Sequence, residues 1–148
     1  RNVRAFRDQG PYRRDVGMPF LQRLTKDLQA AGVILTTGVD ATVEGMIPGY
    51  HIHREIELLV ESGLTPYEAL GAATRNAGQI VARMGRDGNF GVIRVGNRAD
   101  LVLLSGNPLA DASNTRNRIG VMVRGRWYSQ DVLDEMVNSW IAIKDDAR

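Results

Sequence analysis

The apolar positions in the first half of the chain change from a helical to a continuous pattern at Gly32. Residues 33–39, VILTTGV, carry apolar and β-branched side chains on both faces, which is typical of a strand covered on both sides in a parallel sheet. Gly32 suits the turn just past a helix end. This order predicts an α/β unit of helix, tight turn and buried strand. The helix that we predict over residues 19–31 has its apolar stripe at Phe20, Leu21, Leu24 and Leu28.

Helical spacing returns after residue 50 and predicts three more helices. The first covers residues 52–62, with Gly63 after its end. Thr65 and Glu68 have the spacing of a capping box, and Pro66 stands at the first helical position, which predicts a helix from there to about residue 73. The last of the three covers residues 77–84 and ends before Gly85.

The pattern changes to short β segments after Gly85. Residues 91–96 lie between glycines and predict a short strand, and residues 100–105 predict a second, buried strand. Residues 119–128 predict a hairpin around Arg124-Gly125. A stripe over residues 132–144 predicts a closing helix. We therefore divide the chain into an α/β region, 1–85, and a region of small strands with a closing helix, 86–148.

Composition narrows the class of protein. The chain has 148 residues, enough for one domain with a core, and its apolar content of 43% is ordinary for a globular protein. It has no cysteine, which excludes disulfides and thiolate metal ligands within this chain. No apolar run approaches the roughly 20 residues that a membrane-spanning helix needs, so we expect no membrane partner.

The net charge of +2 is unevenly distributed. A nucleic-acid patch is one interpretation of the basic run at the start of the chain. Because this run lacks a binding motif and interleaved aromatics, we interpret it as a solvated segment and expect no nucleic-acid partner. The first residue is not methionine, so we expect that the natural N-terminus is missing, and the localisation stays open. The basic residues of the run are Arg1, Arg4, Arg7, Arg13 and Arg14, opposed by Asp8 alone.

Asp40 is the candidate catalytic residue, because it directly follows the predicted strand. The carboxyl ends of parallel strands face the crevice in which α/β proteins and barrels place their chemistry. The alternative is that Asp40 caps the segment after it. The loop from residue 40 to residue 50, which contains Gly45, Pro48 and Gly49, has a length typical of functional loops.

His51 and His53 stand at the start of the predicted helix over residues 52–62. Side chains at positions i and i+2 of a helix point about 200° apart, so the two imidazoles cannot bind one metal from one face. We therefore do not interpret the pair as a metal site. His53 is a candidate for the substrate pocket or for packing at the helix start, and His51 is expected to be solvated.

Several motifs in a fixed order resemble the C-terminal part of the amidohydrolase superfamily. They are TGVD, PGY, HIHREIELLVESGLTPYEALGAATRNAGQI, GVIRVGNRADLVLLSGNPL and VMVRGRWY, and they cover about residues 30–128. The most similar branch contains imidazolonepropionase-like and Xaa-Pro dipeptidase-like enzymes. The resemblance implies an α/β fold: the C-terminal portion of a (β/α)8 TIM-type barrel, with residues 33–40 as its eighth strand, plus part of a small β-sandwich from about residues 88–128.

The same resemblance implies a chemistry. Asp40 falls on the family's strand-eight aspartate, which binds the metal and carries a proton, and His53 falls on a histidine near the mouth of the active site. The implied reaction is hydrolysis of an amide, peptide or lactam C–N bond by metal-activated water, without a covalent intermediate. The implied cofactor is a divalent metal, with one or two zinc ions expected. The family commonly has threonine before the aspartate, whereas this chain has Val39, which alters the hydrogen bonding available there.

The family's other metal ligands have no counterpart in this chain. A catalytic metal needs about three protein ligands, and Asp40 is one. We therefore expect a fragment of a longer hydrolase that is inactive alone. Its expected partners are the missing N-terminal part of the same polypeptide and a small-molecule or short-peptide substrate, and a homo-oligomer is left open. The alternative is a non-catalytic scaffold or binding module derived from the same fold.

Overall fold

A computed structural model describes residues 14–41 and 49–146, with side chains described at 17–41 and 49–139. Within these ranges, no helix is long and apolar enough to cross a membrane. The elements, in chain order, are α1 (Arg14–Ala30), α2 (His51–Glu61), α3 (Pro66–Ala73), α4 (Arg75–Arg83), β1 (Leu101–Leu104), a 3-10 helix (Ala112–Arg116), β2 (Arg118–Val123), β3 (Arg126–Ser129) and α5 (Gln130–Asp146).

Helix α1 ends as the sequence predicts but begins earlier. Gly32 has a φ of 77°, and the N–H groups of Gly32 and Val33 bond to the carbonyls of Gln29 and Leu28 at 3.0 Å each, which is a Schellman motif. The predicted start at Pro19 is wrong. The helix begins at Arg14 and continues through Pro19, although a proline has no backbone N–H to donate. The basic run lies outside the described residues, apart from Arg14 at the first position of α1.

The predicted buried strand over residues 33–39 does not form. This segment has no helix or strand assignment, and its residues are exposed or half-buried. A parallel strand takes its hydrogen bonds from strands on either side, and no described strand pairs with this segment. The segment therefore has the apolar side chains that predict a strand, but it lacks the backbone hydrogen bonds to a neighbouring strand.

Helices α2 to α4 confirm the predictions from spacing and capping. Glu68 N–H donates to Thr65 Oγ1 at 3.2 Å, and Thr65 N–H donates to Glu68 Oε2 at 2.7 Å, so the capping box is complete. The Thr65 backbone N–H, followed by the Thr65 hydroxyl and Gln29, lowers the pKa of Glu68. Both histidines of the HIH motif lie in the first turn of α2, as predicted.

A small core forms where α2, α3 and the 3-10 helix meet. Ile56, Ala69 and Ala112 are buried together there. The apolar stripe of α1, which predicts core packing, is instead exposed, with Phe20 at 64%. Helices α2 and α3, which both bond to the segment before Asp40, are therefore packed into this core. The partly buried side chains around this core are Ile52, Leu59, Val60, Leu70 and Ala73.

The described strands form one antiparallel sheet in the order β1-β2-β3. The hairpin between β2 and β3 is confirmed: Val123 pairs with Arg126, and the two turn residues Arg124 and Gly125 have positive φ, as in a type I′ turn. The predicted strand over residues 91–96 is wrong, since these residues have no strand assignment and pair with no described strand. The strand at residues 100–105 is confirmed as β1, but it is not buried, because Val102 is 59% exposed.

Helix α5 closes the chain against this sheet. Its Asp134 accepts a hydrogen bond from Arg118 of β2 at 3.0 Å. The division of the chain into two regions at residue 85 stays a prediction. The 3-10 helix, which belongs to the second region, contributes Ala112 to the core around Ile56 of the first region.

Candidate functional site

Asp40 lies at the end of the segment that follows α1. Its side chain is exposed, and its backbone has a φ of 41°, in the left-handed region that asparagine and aspartate adopt more readily than other non-glycine residues. Most of the following loop, including Gly45 and Pro48, lies outside the described residues, whereas Gly49 has a φ of 76°. The predicted catalytic carboxylate is therefore exposed at the end of this segment.

Helices, and not neighbouring strands, supply the hydrogen bonds to this segment. Gly38 N–H donates to Glu55 Oε1 of α2 at 2.8 Å. The Asn76 side chain of α4 donates to the carbonyl of Leu35 at 2.8 Å. Thr37 N–H lies 3.4 Å from the Ala72 carbonyl of α3, a weaker contact. Three helices therefore bond to the five residues before Asp40.

His53 contacts the 3-10 helix. Its Nδ1 lies 3.0 Å from Thr115 Oγ1, and the single proton of that hydroxyl is donated to the Ala112 carbonyl at 2.9 Å. Nδ1 must therefore carry the proton in the His53–Thr115 bond. In the neutral ring, this arrangement leaves the acceptor lone pair on Nε2.

The surroundings of His53 favour its neutral form. Burial lowers the pKa of His53 below its ordinary value of 6.5, and the positive charges of Arg116 and Arg118 lower it further, against the opposing effect of Glu57. Thr115 itself is buried, at 8% exposure. Protonation of His53 would therefore place a charge in a partly desolvated position beside two cations.

We expect the protein to lose stability as the pH falls through the folded-state pKa of His53. Because this pKa is depressed, the folded state binds fewer protons than the unfolded state, and the contribution is complete above 6.5 and lost below it. Urea unfolding between about pH 7 and about pH 5 measures the effect. The control is H53N, whose Nδ2 can still donate to Thr115 without titrating. Equal pH slopes in the wild type and H53N would contradict the expectation.

An ion-pair network beside His53 was not predicted from the sequence. Arg116 of the 3-10 helix bonds to Glu57 Oε1 at 2.8 Å, and Arg54 bonds to both Glu57 and Glu61. The only signal in the sequence is that the glutamates of α2 lie off its apolar stripe. Arg116 is 59 positions from Glu57 along the chain, and only the packing of the 3-10 helix on α2 reveals this pair.

Asp100 stabilises a turn. Its Oδ1 accepts from Arg124 N–H at 2.8 Å, and its other oxygen accepts from Arg98 Nε. The Arg124 backbone N–H is the main cause of the lowered pKa of Asp100. The residue therefore links the start of β1 to the turn of the hairpin.

An open apolar groove of about 300 Å³ is lined in part by α3, and Arg75 donates to the Tyr67 hydroxyl at 2.8 Å within it. Its lining includes no residue of 33–41 and none of α2. The groove is therefore not formed by the candidate catalytic residues. Its lining residues are Tyr67, Leu70, Gly71, Thr74, Arg75, Gly91, Val92 and Leu109.

The described residues do not form a metal site by themselves. Among them, no group of three histidine, cysteine, aspartate or glutamate side chains is close enough to hold a metal ion. Asp40 is chemically suitable as one ligand, because an exposed carboxylate is a common donor to divalent cations. A catalytic metal needs about two further protein ligands, which this part of the chain does not provide.

Comparisons with known proteins bear on this arrangement. The sequence model of the amidohydrolase family matches residues 14–128. No curated protein matches the chain. Among solved structures, an Xaa-Pro dipeptidase with methionine bound in its active site is 27% identical, with a TM-score of 0.62 over 75% of this chain. A candidate prolidase from Bifidobacterium longum is 34% identical, with a TM-score of 0.59 over 70% of this chain.

A molinate hydrolase is also similar, at 25% identity and a TM-score of 0.51 over 69% of this chain. The alignments cover 26% of the Xaa-Pro dipeptidase chain, 25% of the candidate prolidase chain and 20% of the molinate hydrolase chain. This chain therefore spans about a quarter of the length of the first solved structures that it matches.

Proposed function

Because the chain belongs to the amidohydrolase family, we propose that it is part of a metal-dependent hydrolase that cleaves an amide, peptide or lactam C–N bond. The observation that carries the proposal is Asp40, an exposed carboxylate at the end of a segment bonded to three helices, within the region that the family model matches. The similarity to an Xaa-Pro dipeptidase and to a candidate prolidase favours short peptides with proline as the second residue.

In this proposal Asp40 moves the proton. Its carboxylate accepts a proton from the attacking water and returns it to the leaving nitrogen, which departs poorly unless it is protonated. A divalent ion, when bound, makes hydroxide available at neutral pH by lowering the pKa of water to about 7. Asp40 is also proposed as one ligand of that ion, expected to be zinc, with one or two ions in the complete site.

The remaining ligands are proposed to come from polypeptide other than this chain. The described residues contain no group of three metal-binding side chains, and the chain spans about a quarter of the solved structures that it matches. Alone, the chain is then inactive. The missing N-terminal part of the same polypeptide would complete the site, and a homo-oligomer is left open.

His53 is proposed as a substrate-binding residue at the mouth of the site. Its Nδ1–H is used by Thr115, so the atom available in the neutral ring to accept a hydrogen bond from the substrate is Nε2. The lowered pKa of His53 supports this role, because a protonated Nε2 could not accept. The H53N variant keeps the donor to Thr115 and removes Nε2, so it raises KM for the substrate in this proposal.

A second candidate function is a non-catalytic scaffold derived from the same fold. The observation that favours it is the absence, among the described residues, of any group of three metal-binding side chains. In that case the polypeptide that carries the chain would lack a complete metal site. The two candidates therefore differ in whether the full-length protein binds a metal and depends on it.

The full-length protein that contains this chain is expected to bind one or two divalent ions and to hydrolyse Xaa-Pro dipeptides. Removal of the ions with a chelator should abolish hydrolysis, and zinc or manganese should restore it. Elemental analysis gives the metal content, and release of free proline gives the activity. A protein that binds no metal would support the scaffold, and hydrolysis that survives complete metal removal would contradict the proposed reaction.

A further inference from the structure

Glu55 bonds to the backbone beside Asp40, although fifteen positions separate the two residues in the sequence. Its Oε1 accepts the N–H of Gly38 at 2.8 Å. Gly38 stands two residues before Asp40, and two residues span at most about 7 Å of chain. A bond at this peptide group therefore constrains where the Asp40 carboxylate can lie.

Helix α2 is a suitable anchor for such a constraint. Ile56, the residue next to Glu55, is 5% exposed and packs in the core with Ala69 and Ala112. The other end of α2 is closed by the bond from Leu64 N–H to the Leu59 carbonyl at 3.2 Å. The backbone of Glu55 therefore belongs to a helix that is packed into the core.

The other glutamates of α2 serve different partners. Glu57 pairs with Arg116 and Arg54, and Glu61 pairs with Arg54. Of these three glutamates, Glu55 makes the hydrogen bond to residues 33–40. A carboxylate acceptor to a backbone N–H is charge-assisted and geometrically defined, which suits it to hold a peptide group.

We propose that Glu55 is a positioning residue for Asp40, acting through the Gly38 peptide group. This inference rests on the proposed catalytic role of Asp40. Glu55 does not touch substrate in it; it orients the segment that carries the proton-transferring carboxylate. A displacement of about 1 Å at a catalytic group can cost about 10²-fold in rate. Loss of the Glu55 contact should therefore lower kcat and leave substrate binding nearly unchanged.

The test compares E55A, E55Q and E61A in the full-length protein. E55A removes the acceptor, and E55Q keeps an oxygen that can accept from Gly38. E61A removes a carboxylate of the same helix that pairs with Arg54 and not with residues 33–40. We expect E55A to lower kcat by about 10- to 100-fold with KM within about twofold. E55Q should recover most of that loss, and E61A should match the wild type.

A second readout does not depend on catalysis. Hydrogen–deuterium exchange of peptides covering residues 33–40 should be faster in E55A than in the wild type, E55Q or E61A, because the Gly38 amide loses its acceptor. Circular dichroism tests whether each variant is folded. If E55A is unfolded, E55Q decides the question, and its exchange rate and kcat should stay near those of the wild type.

The outcomes separate the inference from the proposed function. Unchanged exchange in E55A, or faster exchange with unchanged kcat, overturns the role of Glu55 while the hydrolase itself stands. Equal losses in E55A and E55Q overturn the acceptor argument. If D40N keeps full activity, the proposed function of Asp40 fails and the inference fails with it, whatever the exchange rates are.

Discussion

The D40N variant of the full-length protein should lose at least about 10²-fold in kcat, because general acid–base catalysis by a positioned side chain contributes about 10²- to 10⁴-fold. An asparagine amide occupies the same volume but cannot accept the proton of water or return it to the leaving nitrogen. The backbone φ of 41° at this position is also one that asparagine tolerates, so the fold should be preserved. Steady-state kinetics on an Xaa-Pro dipeptide measure the effect.

The control for D40N is D27N. Asp27 lies on α1, where it pairs with Arg23 on the surface at 2.9 Å. Its carboxylate pairs with Arg23 and not with residues 33–41, and an exposed ion pair of this kind contributes little to stability. D27N should therefore keep wild-type kcat and unfold within about 0.5 kcal/mol of the wild type. A kcat for D40N within a few-fold of the wild type would remove Asp40 from the mechanism.

The largest expected effect on stability is that of G91A. Gly91 has a φ of 85°, and a Cβ built there would lie 2.4 Å from the Thr74 carbonyl oxygen and 2.8 Å from its carbon. The left-handed conformation costs alanine about 1–2 kcal/mol, and forcing an atom against fixed backbone costs about 1–3 kcal/mol more. We expect G91A to lower the free energy of unfolding by about 3 kcal/mol, measured by urea unfolding.

Gly85 provides the matched control for the steric part of this cost. Its φ is 71°, but no atom lies within 4 Å of a Cβ built there. G85A therefore carries only the conformational cost, and we expect a loss of about 1 kcal/mol. Equal losses in G91A and G85A would show that the Thr74 backbone moves aside, which would contradict the close packing of residues 91 and 74.

Local motifs account for two of the features that were predicted correctly, the start of α3 and the hairpin turn. Thr65, Pro66 and Glu68 specify the start of α3 within four residues, and Arg124-Gly125 specifies the hairpin turn through two positive φ values. Each of these signals depends on bonds between residues close together in the chain. These two features can therefore be predicted without knowledge of the rest of the fold.

The two wrong strands illustrate the opposite case. Residues 33–39 have the composition of a buried strand, and residues 91–96 have glycines at both ends, yet neither finds a partner among the described residues. Side-chain pattern reports which faces of a segment favour burial, whereas a strand exists only where another strand supplies its hydrogen bonds. Apolar pattern alone cannot report that pairing.

The candidate site also contains one residue that the sequence identifies and others that only the structure identifies. Asp40 is recognisable as a candidate from its position after an apolar segment and from the TGVD motif. Its neighbours are not: Glu55 and Asn76 act on the segment from two different helices, and the sequence gives no sign that their side chains reach the backbone of residues 35 and 38. The role of His53 toward Thr115 spans 62 positions and is equally invisible in the sequence.

By itself, the sequence determined the helices α2 to α5, the capping box, the hairpin and the family to which the chain belongs, because these depend on short-range spacing and on an ordered set of motifs. Only the tertiary structure decided what residues 33–40 bond to, which nitrogen of His53 carries the proton, and which glutamate of α2 faces Gly38. These are contacts between distant segments, and a hydrogen bond needs both partners within about 3 Å in space, which no local pattern encodes.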